Sequence, residues 1–249
     1  MSEYLSLMGE LKLSGMRASI EHRLDEAFGG NLDFTEFLTL LLSDEKSYRR
    51  NRKAEQLTKR AKFNNTATFE DFDADPRRGL PKGVIKRLAS LFFLEQSENL
   101  IFIGGTGAGK SYLAQAIGHR CCLNSVEALY LPINKLFKQI EEAEVSGTYL
   151  KLMEKIKKTK LIILDDFGLR NYTHSEALKL YEILEDRYHK ASLVITSQVK
   201  PNGWMLLFED QVIAEAIVDR IVSCSHTIEI KGVSYRKFHA PKERIECKI

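Results

Sequence analysis

The sequence predicts an α/β fold, with a parallel sheet flanked by helices, preceded by a small all-α domain. Three observations carry that expectation. From residue 84 onward, short apolar runs alternate with helical stretches; the run Gly104 to Ser111 sets glycines and a lysine between one such strand and a helix; and residues 1–63 show helical periodicity alone. Apolar strands separated by helices fit a parallel sheet covered on both faces, because such strands are buried on both sides and need crossovers between them.

The chain has 249 residues, 44% hydrophobic and 29% charged, room for one mid-sized domain and a small appendage. No apolar run approaches bilayer length. Residues 1–11 carry Glu3 and Glu10 in place of the basic start and apolar stretch of a secretory signal. A cytoplasmic location and no membrane partner are therefore expected. The cysteines agree: Cys121 and Cys122 are adjacent, Cys224 and Cys247 stand alone, and nothing shows metal or disulfide spacing. The net charge of +3 is mild, and its distribution is more informative.

Within residues 1–63, Asp33 followed by Glu36 predicts a helix start with a reciprocal cap. After it, Phe34, Phe37, Leu41 and Tyr48 recur at helical spacing and predict one packed face. The stretch from Lys46 to Lys62 is strongly basic, with Glu55 its one acid. Arg49, Arg52, Lys53, Gln56 and Arg60 fall on one side of a helix. With Arg50 and Lys59 they are the candidate DNA-binding residues. Lys and Arg that neutralise phosphates give sequence-independent, salt-sensitive affinity, and no reader of base edges is visible, so backbone contacts are expected. A solvated helix face is the competing reading of the charge alone.

Residues 64–81 lack a period and contain Pro76, Gly79, Pro81 and the acids Glu70, Asp71, Asp73 and Asp75, the composition of a linker. The expected organisation is a helical domain over 1–63, a linker over 64–81 and an α/β domain over 82–249. By its position before the sheet, the stretch from Phe69 to Pro76 is where an adenine would be gripped. Then follow a helix over 84–94, a strand Leu100 to Ile103, a helix from Ser111 to Asn124, a strand Ala128 to Ile133 and helices over 134–144 and 148–158. Leu161 to Leu164 predicts a strand, Ser175 to His189 a helix, Leu193 to Ser197 a strand, Glu209 to Val222 a helix and Thr227 to Ile230 a last strand.

Gly104-Gly105-Thr106-Gly107-Ala108-Gly109-Lys110-Ser111 satisfies the phosphate-loop pattern in full. Glycines let successive backbone N–H groups point inward at phosphate oxygens, and the helix that follows adds its positive end. Lys110 supplies a charge for the outer phosphates and the Ser111 hydroxyl a ligand for Mg²⁺. Tyr112, next along the helix, is counted among the nucleotide contacts. ATP and Mg²⁺ are the cofactors this predicts.

Leu161 to Leu164 runs into Asp165 and Asp166, and ligands of open α/β sheets sit beyond the carboxyl ends of strands. Asp165 is expected to hold Mg²⁺ and Asp166 to orient the water that attacks the γ-phosphate, with the reverse division also open. Thr196, Ser197 and Gln198 end the next strand, where a γ-phosphate sensor would sit. Arg220, near a helix C-terminus, could reach a neighbouring subunit's nucleotide or simply complement the helix dipole.

Taken with Leu11 to Met16, Phe37-Leu38, Leu41-Leu42, Glu45, Ala61 to Phe63, Asp165 to Gly168, Trp204, Phe208, Asp210, Ala216 to Arg220 and Lys231 to Arg236, these pieces resemble the IstB group of transposition helper ATPases, relatives of the DnaC-type helicase loaders in the AAA+ class. The resemblance implies a P-loop AAA+ domain and an ATP-hydrolysing homo-oligomer that wraps and remodels duplex DNA and delivers it to a partner transposase. It makes Arg220 the candidate arginine finger, Gln198 or Ser197 the sensor, and Arg236 a further nucleotide contact. Two departures matter: the second acid is Asp166 where Glu is usual in AAA+ proteins, and the sensor position holds Gln198 where Asn is frequent. As in this group, no C-terminal helical lid of the kind many AAA+ proteins carry is expected after Arg236, and the N-terminal helices would serve some of its roles. A helicase loader is the alternative with the same fold, although residues 1–63 hold no cysteine for a zinc module. A nucleotide-gated adaptor with little hydrolysis is a further one, which Asp166 keeps open.

Overall fold

The computed structural model describes residues 3–30 and 32–231. Three helices come first: α1 (Glu3–Glu10), α2 (Ser14–Gly30) and α3 (Phe34–Ala61). Asp33 caps α3, accepting from the N–H groups of Thr35 and Glu36, while the Glu36 carboxylate accepts from the N–H of Asp33. This satisfies donors that a helix start leaves open. The expected packed face of α3 needs correction. Leu41 is buried with Met16 and Ile20 of α2 and Phe37 packs beside them, but Phe34 is 95% exposed and Tyr48 is 39% exposed. The core between these helices is too small to cover both ends of the apolar row.

Polar contacts complete the docking of α2 on α3. Arg23 clasps Asp44 through two hydrogen bonds of 2.8 and 2.9 Å. The buried Glu45 carboxylate accepts from the N–H groups of Gly15 (2.6 Å) and Met16 (3.1 Å). The helices approach so closely here that a Cβ on Gly15 would lie 2.6 Å from the Tyr48 Cβ, so the position demands glycine. At its far end α3 leaves this small bundle. Leu57 and Ala61 are buried in the same apolar layer as the sheet, and the helix stops at Lys62, which adopts a left-handed φ of 59°.

Strands β1 (Asn99–Gly104), β2 (Ala128–Pro132), β3 (Leu161–Phe167), β4 (Ser192–Ser197) and β5 (Ser225–Ile230) form one parallel sheet in the order β2-β3-β4-β1-β5. Successive side chains point to opposite faces. Leu100, Phe102, Ile163 and Val194 pack beneath α4 (Lys82–Ala89), α5 (Lys110–Leu123) and the end of α3. Ile101, Ile103, Ile162, Leu164, Leu193 and Ile195 pack against α6 (Ile133–Val145), α7 (Tyr149–Lys158), α8 (His174–Arg187) and α9 (Gln211–Val222). Burial on both faces is why these strands read as unbroken apolar runs.

Most element ends shift by one or two residues from the expected ones, and three differences are larger. The helix expected over 84–94 ends at Ala89, since Leu91 turns left-handed with φ of 60° and Phe92–Leu94 forms a short 3-10 turn. Strand β3 continues past Leu164 to Phe167, and its register against β4 slips there: Leu164 faces Ile195 while Phe167 faces Ser197. Between β4 and α9, where periodicity signals nothing, Pro201–Leu207 forms a 3-10 helix around the fully buried Trp204. No helix of the described residues is long and apolar enough to cross a membrane.

Candidate nucleotide site and nucleic-acid interface

Strand β1 lies between β4 and β5, so the chain reverses its direction of travel across the sheet beside β1 and opens a crevice at the strands' carboxyl ends. A cleft of about 620 Å³ occupies this position. Thr106, Gly107, Gly109, Lys110, Ser111, Tyr112, Asp166 and Gln198 line it from the sheet domain. Asn65, Asp71, Phe72, Asp73 and Arg78 line it from the segment expected as a linker, which lies along the glycine loop.

The loop's glycines answer two different demands. Gly107 and Gly109 have φ of 77° and 94°, backbone states that other residues rarely adopt. Gly104 is required by space, because a Cβ there would sit 2.4 Å from the Ile230 carbonyl oxygen on β5. Ala108 is buried under the loop, and its carbonyl accepts from Arg78 Nη2 at 2.7 Å. Gly105 is exposed. Helix α5 begins at Lys110, so its open N–H groups and positive end face the cleft. Lys110 is only 6% exposed, and its Nζ donates to the carbonyls of Gly104 and Gly105 at 2.9 Å each.

The two adjacent acids occupy different environments. Asp165 is buried; the Tyr130 hydroxyl donates to its Oδ2 and the Thr196 hydroxyl to its Oδ1. Burial, and next the Asp165 carboxylate, push the Tyr130 phenol pKa well up, so it remains a donor. Asp166 sits at the register slip with a left-handed φ of 61°, its N–H donating to Thr196 Oγ1 at 3.0 Å and its side chain on the cleft wall. A non-glycine residue held in that state is a common mark of a functional position.

The strand-end residues also divide. The Thr106 hydroxyl donates to Gln198 Oε1 at 2.8 Å, tying β4's end to the glycine loop across the cleft. Ser197 is turned inward: its hydroxyl donates to the Phe167 carbonyl at 2.7 Å and accepts from Val199 N and Trp204 Nε1. It anchors the 3-10 segment and does not line the cleft. Arg220 lies away from the loop, in a recess with Asn99 and Leu193 at the opposite end of the sheet. There it pairs with Glu185 and stacks on Tyr181 at 5.0 Å. Arg236 lies outside the described residues.

On α3, Arg49, Arg50, Arg52, Lys53, Lys59 and Arg60 are all exposed, while Ala54, Leu57 and Ala61 are buried behind them. Arg49 Nε donates to Glu45 Oε1 at 2.6 Å. Beside it a cavity of about 420 Å³ opens between α3 and the turn joining α1 to α2, lined by Lys12, Arg17, Arg49 and Arg52. Lys12 and Arg17 extend the basic surface and were not signalled by the sequence, because they belong to other elements.

The family described as IstB-like ATP binding protein matches residues 6–243. The chain belongs to this family. A Mycobacterium tuberculosis protein named for ATP binding and for its insertion sequence is 34% identical over 93% of this chain and 92% of its own length. A Pseudomonas aeruginosa protein named for the insertion sequence IS21 and for ATP binding is 33% identical over 95% of this chain and 89% of its own. The solved structure of DnaI matches with a TM-score of 0.58 at 23% identity, covering 71% of this chain and 94% of that one. That likeness concerns the fold, which is of the AAA+ class.

The donors of this IstB-like chain suit magnesium. Ser111 offers a hydroxyl and Asp165 a carboxylate, both hard oxygens, and Mg²⁺ takes few protein ligands beside phosphates and water. Among the described residues no group of three or more His, Cys, Asp or Glu could hold a metal by itself. Three residues in or behind the cleft escaped the sequence reading in these roles, Arg78, Tyr130 and Thr196, whereas Phe72 falls in the stretch expected to grip an adenine. The 3-10 turn Pro76–Arg78, closed by Gly79 with φ of 79°, brings Arg78 onto the loop with its guanidinium 5.8 Å from the Phe72 ring centre. The Asp75-Pro76 start and Gly79 end of that turn were the available signal.

Proposed function

We propose that this IstB-like chain hydrolyses ATP and uses the cycle to assemble further copies of itself on duplex DNA and deliver that DNA to a transposase. One observation carries the reading: the exposed basic face of α3 ends at Arg60, directly before the segment that enters the nucleotide cleft. The relatives' names, which tie ATP binding to insertion sequences, support a transposase as partner, and the same reading puts the work of this chain in the cytoplasm.

In this mechanism the loop N–H groups and Lys110 hold the triphosphate, the lysine exchanging loop carbonyls for phosphate oxygens. Phe72 and Tyr112, whose rings lie 6.0 Å apart, form the apolar wall for the base. Ser111 and Asp165 would hold Mg²⁺, which when bound would supply positive charge against the phosphates. Asp166 orients the attacking water and accepts its proton, and Gln198 reads the γ-phosphate. Arg220, far from its own loop, serves the nucleotide of a neighbouring copy. DNA binds through phosphates on Arg49, Arg50, Arg52, Lys53, Lys59 and Arg60, continued by Lys12 and Arg17.

Duplex titrations across several salt concentrations test the DNA surface. Replacing Arg49, Arg52, Lys53 and Arg60 by Ala should weaken binding and reduce the salt slope by about 0.9 for each phosphate that is no longer neutralised. An unchanged slope removes this face of α3 from the DNA site.

A further inference from the structure

Both residues assigned to the metal, Asp165 through its carboxylate and Ser111 through its main-chain carbonyl, are tied to the same short stretch of chain, the residues directly after α3. Asn64 Nδ2 donates to the Tyr130 hydroxyl at 3.3 Å, and that hydroxyl donates to Asp165 Oδ2. A second branch starts at the same place. The N–H groups of Asn64 and Asn65 donate to Gln115 Oε1 at 2.8 and 3.1 Å, and Gln115 Nε2 donates to the Ser111 carbonyl at 3.2 Å. Gln115 is only 2% exposed, so its amide depends on these partners.

Packing holds the stretch in register with both branches. Phe63 lies against α5 so tightly that a Cβ on Gly118 would come within 2.7 Å of its ring, and the ring centre is 6.5 Å from that of Tyr130. Gln115 and Gly118 share one face of α5, three residues apart. The left-handed Lys62 joins this stretch to α3 without any flexible spacer. Arg60, the last basic residue of the α3 face, is therefore one helical turn of chain from Asn64.

We propose that Asn64, Tyr130 and Gln115 form a coupling clasp that sets the positions of Asp165 and Ser111 according to the seating of α3. Tyr130 and Asn64 are positioning residues in it. The inference rests on the reading of α3 as a DNA-binding helix and of the cleft as a magnesium-nucleotide site. Hydrogen-bonded partners behind a ligating carboxylate fix its orientation, and their loss costs metal affinity. When the α3 arginines engage phosphates, the end of α3 is held, Asn64 holds the Tyr130 hydroxyl, and Asp165 is kept aimed at the metal. The coupling is reciprocal: DNA must tighten magnesium-nucleotide binding by the same factor as magnesium-nucleotide tightens DNA binding.

Binding measurements on the full chain test this without relying on turnover. A fluorescent, non-hydrolysable ATP analogue is titrated with Mg²⁺ in the presence and absence of duplex DNA, and duplex affinity is measured with and without the magnesium-nucleotide. In the wild type, each ligand should tighten the other. Tyr130→Phe keeps the ring against Phe63 but removes both hydroxyl bonds; it should raise the half-saturating Mg²⁺ by about tenfold. In Tyr130→Phe and in Asn64→Ala the mutual tightening should fall toward none, while DNA affinity in the absence of nucleotide stays at the wild-type value. The double variant should lose no more coupling than Tyr130→Phe alone. If both single variants keep the wild-type factor, the clasp is overturned. A wild type that binds both ligands independently overturns it as well. Failure of the wild type to bind either ligand overturns the functional reading beneath it.

Discussion

Glu45 offers a quantitative test of how the N-terminal helices are held together. Its carboxylate is 6% exposed and accepts from two buried N–H groups at the start of α2, those of Gly15 and Met16, while Arg49 donates to the other oxygen. Glu45→Ala leaves both N–H groups without their acceptor. A hydrogen bond to a charged group contributes about 1.5–3 kcal/mol, and water entering from the adjoining cavity restores part of two such bonds, which leaves a cost of about 3 kcal/mol. Glu45→Gln keeps one oxygen acceptor and should cost about half as much. Since about 1.4 kcal/mol is tenfold in an equilibrium, amide exchange in α2 should accelerate about a hundredfold in the Ala variant, with the amides of β1 unaffected. Native-state hydrogen exchange measures both at once. Wild-type protection in α2 of Glu45→Ala would refute the role of the Glu45 carboxylate in holding the start of α2 on α3.

The same region should show an acid transition. Arg23 lowers the Asp44 pKa to about 2. For Glu45, burial alone acts upward, but Arg49 and the N–H groups of Met16 and Gly15 outweigh it and hold the carboxyl below its ordinary value. Groups depressed in the folded state add stability above their unfolded pKa and lose it as pH falls through the folded one, so α2 should undock between about pH 4 and pH 2. Denaturant midpoints followed through α2 amides check this, and a flat profile over that range contradicts it. Asp166→Asn should leave nucleotide affinity within about threefold but slow phosphate release by about a hundredfold or more; equal turnover removes Asp166 from the water-activating role. Trp204 is fully buried, edge-on to Phe167 at 4.6 Å, and bonded to the Val199 carbonyl. Trp204→Ala should cost about 3–5 kcal/mol in urea denaturation followed by circular dichroism, and a destabilisation below about 1 kcal/mol would contradict its anchoring role.

What the sequence reveals here is what is encoded locally. The glycine loop, the double-sided apolar strands and the Asp33 cap each depend on a few consecutive residues, and each stands where the spacing put it. Features set by distant partners were hidden. Phe34 has helical spacing with Phe37 and Leu41, but no element of the described residues covers it. Asp165 and Asp166 look equivalent until the slip of β3 against β4 buries one and turns the other to the cleft. Ser197 and Gln198 are equally polar neighbours, and only the placement of Trp204 shows which of them is structural. Residues 64–81 read as a linker because their order comes from turns and from packing on α5, neither of which has a period.

The most direct measurement is a calorimetric titration of the magnesium complex of a non-hydrolysable ATP analogue into the wild type and into Lys110→Ala. Lys110 sits against the loop at the cleft floor, and removing one charged hydrogen bond of about 3 kcal/mol corresponds to about a hundredfold in affinity. Saturable one-site binding in the wild type, weakened at least that far in the variant, is the expected result. Equal binding by both proteins, or none by the wild type, would contradict the assignment of this loop as the triphosphate site.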